Sequence, residues 1–192
     1  MTLAEMAIFL LLLSSSYSGA SAKSPDSVVH ALYGLVVVRH PLGIPKGADK
    51  EAIWPLLSKK LRGKLETVQA CESDYFHQHG RDTSKPEFGW LESGIFSGAN
   101  ERGLPAKAVV EQTERQQDGS TWVYVRLAYN NPQSSDSVSI YQWMVAAKVV
   151  SERGQFVVDD VLIFQDDSDE IQSRLSDSFV GCDGPRWRGV AK

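Results

Sequence analysis

The chain has 192 residues, 42% of them hydrophobic and 23% charged, which fits one globular domain whose core is stable without metals or many disulfides. A net charge of −4 argues against a general binder of nucleic acid or anionic membranes, because such proteins carry a basic surface that neutralises phosphates.

The first predicted element is an export signal over residues 1–22. An apolar run from Ala7 to Leu13 leads to small and polar residues ending in Ala20-Ser21-Ala22, a cleavage-site pattern just before Lys23. The opening MTLAEM departs from the usual signal in carrying Glu5 and no Lys or Arg. The run is too short to span a bilayer, which takes about 20 apolar residues, and no Cys near the junction offers a lipid attachment point. The expectation is an exported chain, periplasmic or extracellular, with no membrane insertion after cleavage and a single domain over residues 23–192.

A first helix is expected from Pro25-Asp26, with Asp26 as its N-cap. Val28, Val29, Leu32, Leu35 and Val36 recur at helical spacing and imply one buried face. The helix ends by Pro41, where Pro41, Gly43, Pro45 and Gly47 form a turn region. A second helical region begins near Asp49. Ile53, Leu57, Leu61, Leu65, Val68 and Tyr75 keep to one stripe, and Pro55 either starts a new helix or kinks this one. Cys71 lies beside the stripe, which favours a buried, bonded sulfur. Only one other cysteine exists, Cys182. In an oxidising compartment the pair reads most simply as a disulfide tying the helical layer to the C-terminal tail; a reactive thiol or a metal ligand is the alternative.

From His79 to Pro105 the periodicity disappears. A loop of this length is often functional or lid-like, and Phe88-Gly89-Trp90-Leu91 and Ile95-Phe96 are expected to pin it to the core. Strands follow over Ala108–Glu114, from Thr121, over Val138–Val150 and over Gln155–Phe164. Asp118-Gly119 and Glu152-Arg153-Gly154 turn the chain between them. The second and third strands are apolar on both faces, as in a central strand covered twice. A last helix is expected, capped by Asp167, with Glu170 then placed for a capping box, or by Ser168, facing Ile171, Leu175 and Phe179 inward and ending at Gly181.

This order of helices, long loop, about four antiparallel strands and closing helix resembles the nuclear transport factor 2-like superfamily. The most specific local likeness is Gly154-Gln155-Phe156-Val157-Val158-Asp159-Asp160-Val161. Residues 90–103 and 181–187 are similar to segments of a branch of small exported bacterial proteins in that superfamily. The resemblance implies an α+β cone fold, with N-terminal helices packed in the concave face of a curved antiparallel sheet and a short C-terminal helix. The superfamily holds isomerases and dehydratases as well as binding modules, so fold alone assigns no activity.

A carboxylate inside an apolar cone has a raised pKa and serves as a general base, which makes Asp159 and Asp160 the candidate catalytic residues. Strand alternation places only one of them inside. In the related isomerases a Tyr oxyanion donor assists the base, a part open here to Tyr124 or Tyr141. The plain alternative is one solvated Asp and one bonded to backbone or Arg126. His77 and His79 reach one metal ion only in an extended segment, since on a helix positions i and i+2 diverge. Lys59, Lys60, Arg62 and Lys64 read as the solvated face of an amphipathic helix. Trp122, Tyr141 and Trp143 on the sheet, with Trp90 and Phe96 in the loop, form the candidate ligand or partner surface, or else sheet core and a homodimer face. No cofactor is implied, and no nucleophile elbow, phosphate loop or dinucleotide fingerprint is present. The leading expectation is a non-catalytic exported protein binding a small apolar ligand or a protein partner. An Asp-based enzyme, and an inhibitor or immunity protein contacting an envelope enzyme through Asp82–Glu101, are the alternatives.

Overall fold

In the computed structural model, which describes residues 24–80, 88–99, 103–130, 140–164 and 170–189, Ser24 rather than Asp26 caps the first helix. Ser24 Oγ accepts from Ser27 N and Ser27 Oγ from Ser24 N, a reciprocal box that satisfies two end groups; Pro25 occupies the first turn, where its missing N–H costs nothing. The expected signal, the start of the strand expected from Val138, and the caps Asp167 and Ser168 lie outside the described residues, as do Asp82 and Glu101 at the ends of the expected contact loop.

Helix α1 spans Pro25–Arg39 and α2 spans Gly47–Ile53. Pro55 then falls in a 3-10 turn, Trp54–Leu56, and α3 starts afresh at Lys59 behind the cap Ser58 and runs to His79. All six residues of the expected stripe are buried, from Ile53 to Tyr75. Five strands follow: β1 Lys107–Arg115, β2 Thr121–Asn130, β3 Ile140–Glu152, β4 Gln155–Phe164 and β5 Ile171–Arg174. They pair antiparallel in chain order, so β1 and β5 are the edges of an open sheet.

The last helix is therefore a correction. Ile171–Arg174 pairs with the end of β4, Leu162 opposite Arg174 and Ile163 opposite Ser173, and only a 3-10 turn, Leu175–Asp177, follows. The i, i+4 spacing of Leu175 and Phe179 is real, and both are buried, but Ile171 is 54% exposed. Pairing the open edge of β4 outweighs the local helical pattern, since unpaired backbone groups are costly.

The helices bury Val28, Leu32, Leu61 and Leu65 against Val123, Val125, Val145 and Val161 on one sheet face. The other face carries a smaller cluster, Ala146, Leu162 and Phe164 with Trp122, Tyr124 and Met144, whose members all belong to β2, β3 and β4. Of the double cover expected from the two-faced strands, the helical layer supplies one side; on the other these side chains pack on each other, and no described element lies over them. Cys71 in α3 is bonded to Cys182 in the tail, with 5.7 Å between their Cα atoms.

Candidate functional site

Three of the five aromatics expected at a ligand or partner surface line one open cleft. Its larger lobe, about 440 Å³, lies between Trp90 and the Ser93–Ile95 stretch on one side and Gln172, Ser173 and Val180 on the other. The smaller, about 250 Å³, is bounded by Ala99, Gly103, Tyr141, Trp143 and Phe164. Both include Gly98, Ile163 and Gln172, so they adjoin where Gly98 crosses β4. Glycine is required there twice over: its φ is +72°, and a Cβ would stand 2.7 Å from Ile163 Cγ2.

The turn that carries this wall is fixed from two elements. Gly94 N donates to Ala99 O at 2.7 Å and Gly98 N to Gly94 O at 2.8 Å, closing the turn on itself. Tyr33 Oη on α1 donates to Phe96 O at 3.0 Å, and Trp143 Nε1 on β3 donates to Ser97 O at 2.7 Å. Burial pushes the Tyr33 hydroxyl far above its ordinary pKa, so it stays a donor. The described part of the expected lid is thus an anchored wall. Phe96, 1% exposed, is core behind that wall and not surface.

Among the described residues lining the two lobes none is Asp, Glu, His, Lys or Arg. Ser93, Ser173, Ser178 and Gln172 supply neutral hydrogen-bonding groups beside the aromatic and aliphatic walls. Trp90 is 6% exposed and its Nε1 is buried without a hydrogen-bond partner. Gln172 and Ser173 escape a sequence reading that places them on a helix. Gly98 was visible only as one of many loop glycines.

The remaining candidates stand elsewhere. Asp159 sits at a bulge where β4 slips against β3, and accepts from Ser58 Oγ at 2.7 Å with Lys60 Nζ at 3.5 Å. Ser58 in turn caps α3 through Leu61 N, so this carboxylate holds a helix N-terminus to the sheet, where negative charge is favoured. Asp160, 3% exposed, accepts from Val161 N, from Ser176 N and Oγ, and from Arg174 at 3.2 Å. The bonding partner is Arg174, whereas Arg126 makes two bonds to Glu111. Because of the bulge neither Asp is solvated, against the expectation of one inside and one out. Tyr124 donates to Glu114 at 3.2 Å, on the face away from the helices, and Tyr141 lies in the cleft, which neither Asp159 nor Asp160 lines. Trp122 is on the same outer face as Tyr124, with the Arg174 guanidinium 5.9 Å from its ring. Helix α3 runs through both histidines; His79 stacks on Tyr75 at 4.4 Å while His77 borders another hollow with Glu72 and Lys46. No three metal-capable side chains cluster among the described residues.

No family model, no curated protein and no solved structure matches the chain. No helix among the described residues is long and apolar enough to cross a membrane.

Proposed function

We propose that the protein is an exported, non-catalytic binding protein whose cleft takes a neutral, partly apolar small molecule. The observation that carries this reading is the convergence of Trp90 from the Gly89–Glu92 turn with Tyr141 and Trp143 from β3 on a cleft whose described walls offer aromatic faces and neutral hydrogen-bonding groups and no charge. Such a composition is typical of small-molecule sites, which are mainly apolar with a few polar groups that fix orientation. Export is supported by the disulfide together with the leader pattern in the sequence. Placement in the nuclear transport factor 2-like superfamily, with its cone fold, is supported by the order of helices before an antiparallel meander and by helices covering one sheet face.

An acid–base enzyme has less support. Both candidate carboxylates are committed to Ser58, Lys60, Arg174 and Ser176, and neither lines the cleft. The inhibitor reading needs an exposed contact loop, and its described part buries Phe88, Trp90, Ile95 and Phe96.

Nile red, a neutral apolar dye, tests the cleft. Its emission should rise and shift to the blue with the unsubstituted protein. Gln172→Trp, an exposed position common to both lobes, should abolish that response without changing the thermal melt, and Tyr141→Ala should weaken it. A dye response that survives Gln172→Trp would remove the cleft as the binding site.

A further inference from the structure

Helix α1 runs antiparallel to β1 and is tied to it near both ends. Thr113 Oγ1 donates to Asp26 Oδ1 at 2.6 Å, and His40 Nε2 lies 3.1 Å from Pro105 O, just before the strand. Between these ties helix and strand leave an open groove of about 300 Å³, walled by Gly34 and Val37 of α1 and Ala108 and Val110 of β1, with Val125 of β2 beneath. It has no residue in common with the aromatic cleft. For scale, a dry cavity of about 150 Å³ holds one benzene, and the helix from His30 to Val37 rises roughly 10 Å.

Two features of the groove point to an occupant. Gly34 stands in the middle of a helix, where glycine costs about 0.5–1 kcal/mol relative to alanine, and a Cβ there would meet nothing within 4 Å. Packing does not demand the glycine; its effect is to keep the wall flat. The charge is one-sided as well. The only ionisable side chains at the rim of the described lining are Lys107, a cation, and His30, and neither has a hydrogen bond or ion pair among the described residues. The nearest carboxylate along α1, Asp26, is one turn before His30 and is taken by Thr113. The antiparallel run puts Lys107 at the Val37 end and His30 at the Val110 end.

We infer that this groove is a second binding site, for an amphipathic carboxylate whose alkyl chain lies between α1 and β1 and whose head group pairs with Lys107. The apolar walls remove the chain from water, and the unpaired ammonium at the rim selects an anion over a neutral or cationic head.

The test is an amide chemical-shift titration of the whole protein with decanoate, decan-1-ol and decyltrimethylammonium, each below its micelle concentration. Decanoate should shift Gly34, Val37 and Lys107, and should bind about fivefold or more tightly than the ammonium amphiphile, the scale of one exposed ion pair. Lys107→Glu should remove that preference. Gly34→Leu should abolish decanoate binding while the melt stays or rises, since the new side chain enters open space on a better helix former. Equal affinity for the three amphiphiles, shifts confined to residues outside the groove, or decanoate binding that persists in Gly34→Leu would each overturn the proposal. Nile red binding at the cleft is read separately through Gln172→Trp, so either site can fail alone.

Discussion

Asp160 is held by three donors from the protein's own chain and by one guanidinium, with only 4% of its side chain accessible. Removing it takes an acceptor from Val161 N, Ser176 N and Ser176 Oγ, the last of which keeps Asp177 at 3.2 Å, and leaves Arg174 with Asp177 at 3.9 Å, so the cost is the loss of a buried network and not of a surface ion pair. Asp160→Ala should destabilise by about 2–4 kcal/mol, while Asp160→Asn, which keeps an acceptor and the volume, should cost less. Asp159→Ala, which strips the support from the α3 cap, should cost about 1–2 kcal/mol. Urea unfolding of the three variants checks this. An unchanged midpoint for Asp160→Ala would mean that the carboxylate is kept for something other than the fold.

The β1–β2 hairpin gives a prediction at the level of one element. Gly119, with φ of +80°, makes the reversal, and the Asp118 carboxylate accepts from Ser120 Oγ at 2.6 Å and Ser120 N at 2.9 Å, with Lys148 at 3.0 Å. These partners, Ser120 first, lower the Asp118 pKa from 3.8 to about 2. The charged form is thus favoured by folding, so the contribution is present above about pH 4 and disappears as pH falls towards 2. Asp118→Asn should melt below the unsubstituted protein at pH 6, and the two melts should converge by about pH 2. A difference independent of pH would show that the carboxylate's charge plays no part. The hairpin was legible because Asp-Gly is a local turn signal between two β-rich runs, and β2, β3 and β4 were legible as long runs of β-branched and aromatic residues. β5 was not legible: Ile171, Leu175 and Phe179 obey helical spacing, and only the open edge of β4, distant in any one-dimensional pattern, decides for a strand. The site suffered accordingly. Trp90, Tyr141 and Trp143 stood out as large aromatics, whereas Gln172 and Ser173 acquire meaning only through pairing, and Gly34 was a lone glycine whose open surroundings no sequence shows.

Across the whole molecule, the far end of α3, the Phe88–Glu92 segment and the tail meet in one aromatic cluster beside the disulfide. Tyr75, Phe88 and Trp187 pack edge to face, Phe88 stacks on Trp90 at 5.0 Å, and Phe179 meets Trp90 edge-on at 5.7 Å. Trp187 N donates to Asp74 Oδ2 at 3.0 Å, and its ring lies where a Cβ on Gly181 would be, 2.2 Å from Cζ3. The tail is therefore held by Asp74, by ring packing and by Cys71–Cys182, which spans 111 residues of chain. Closing a loop of that length removes about 4–5 kcal/mol of unfolded-state entropy on the chain-entropy account. Since Trp90 belongs both to this cluster and to the cleft wall, the bridge stabilises the fold and also backs the cleft. The double variant Cys71→Ser/Cys182→Ser should melt about 10 °C lower and bind Nile red more weakly at a temperature where it is still folded. An unchanged melt would show that packing alone retains the tail, and a lower melt with undiminished dye affinity would separate the cluster from the cleft.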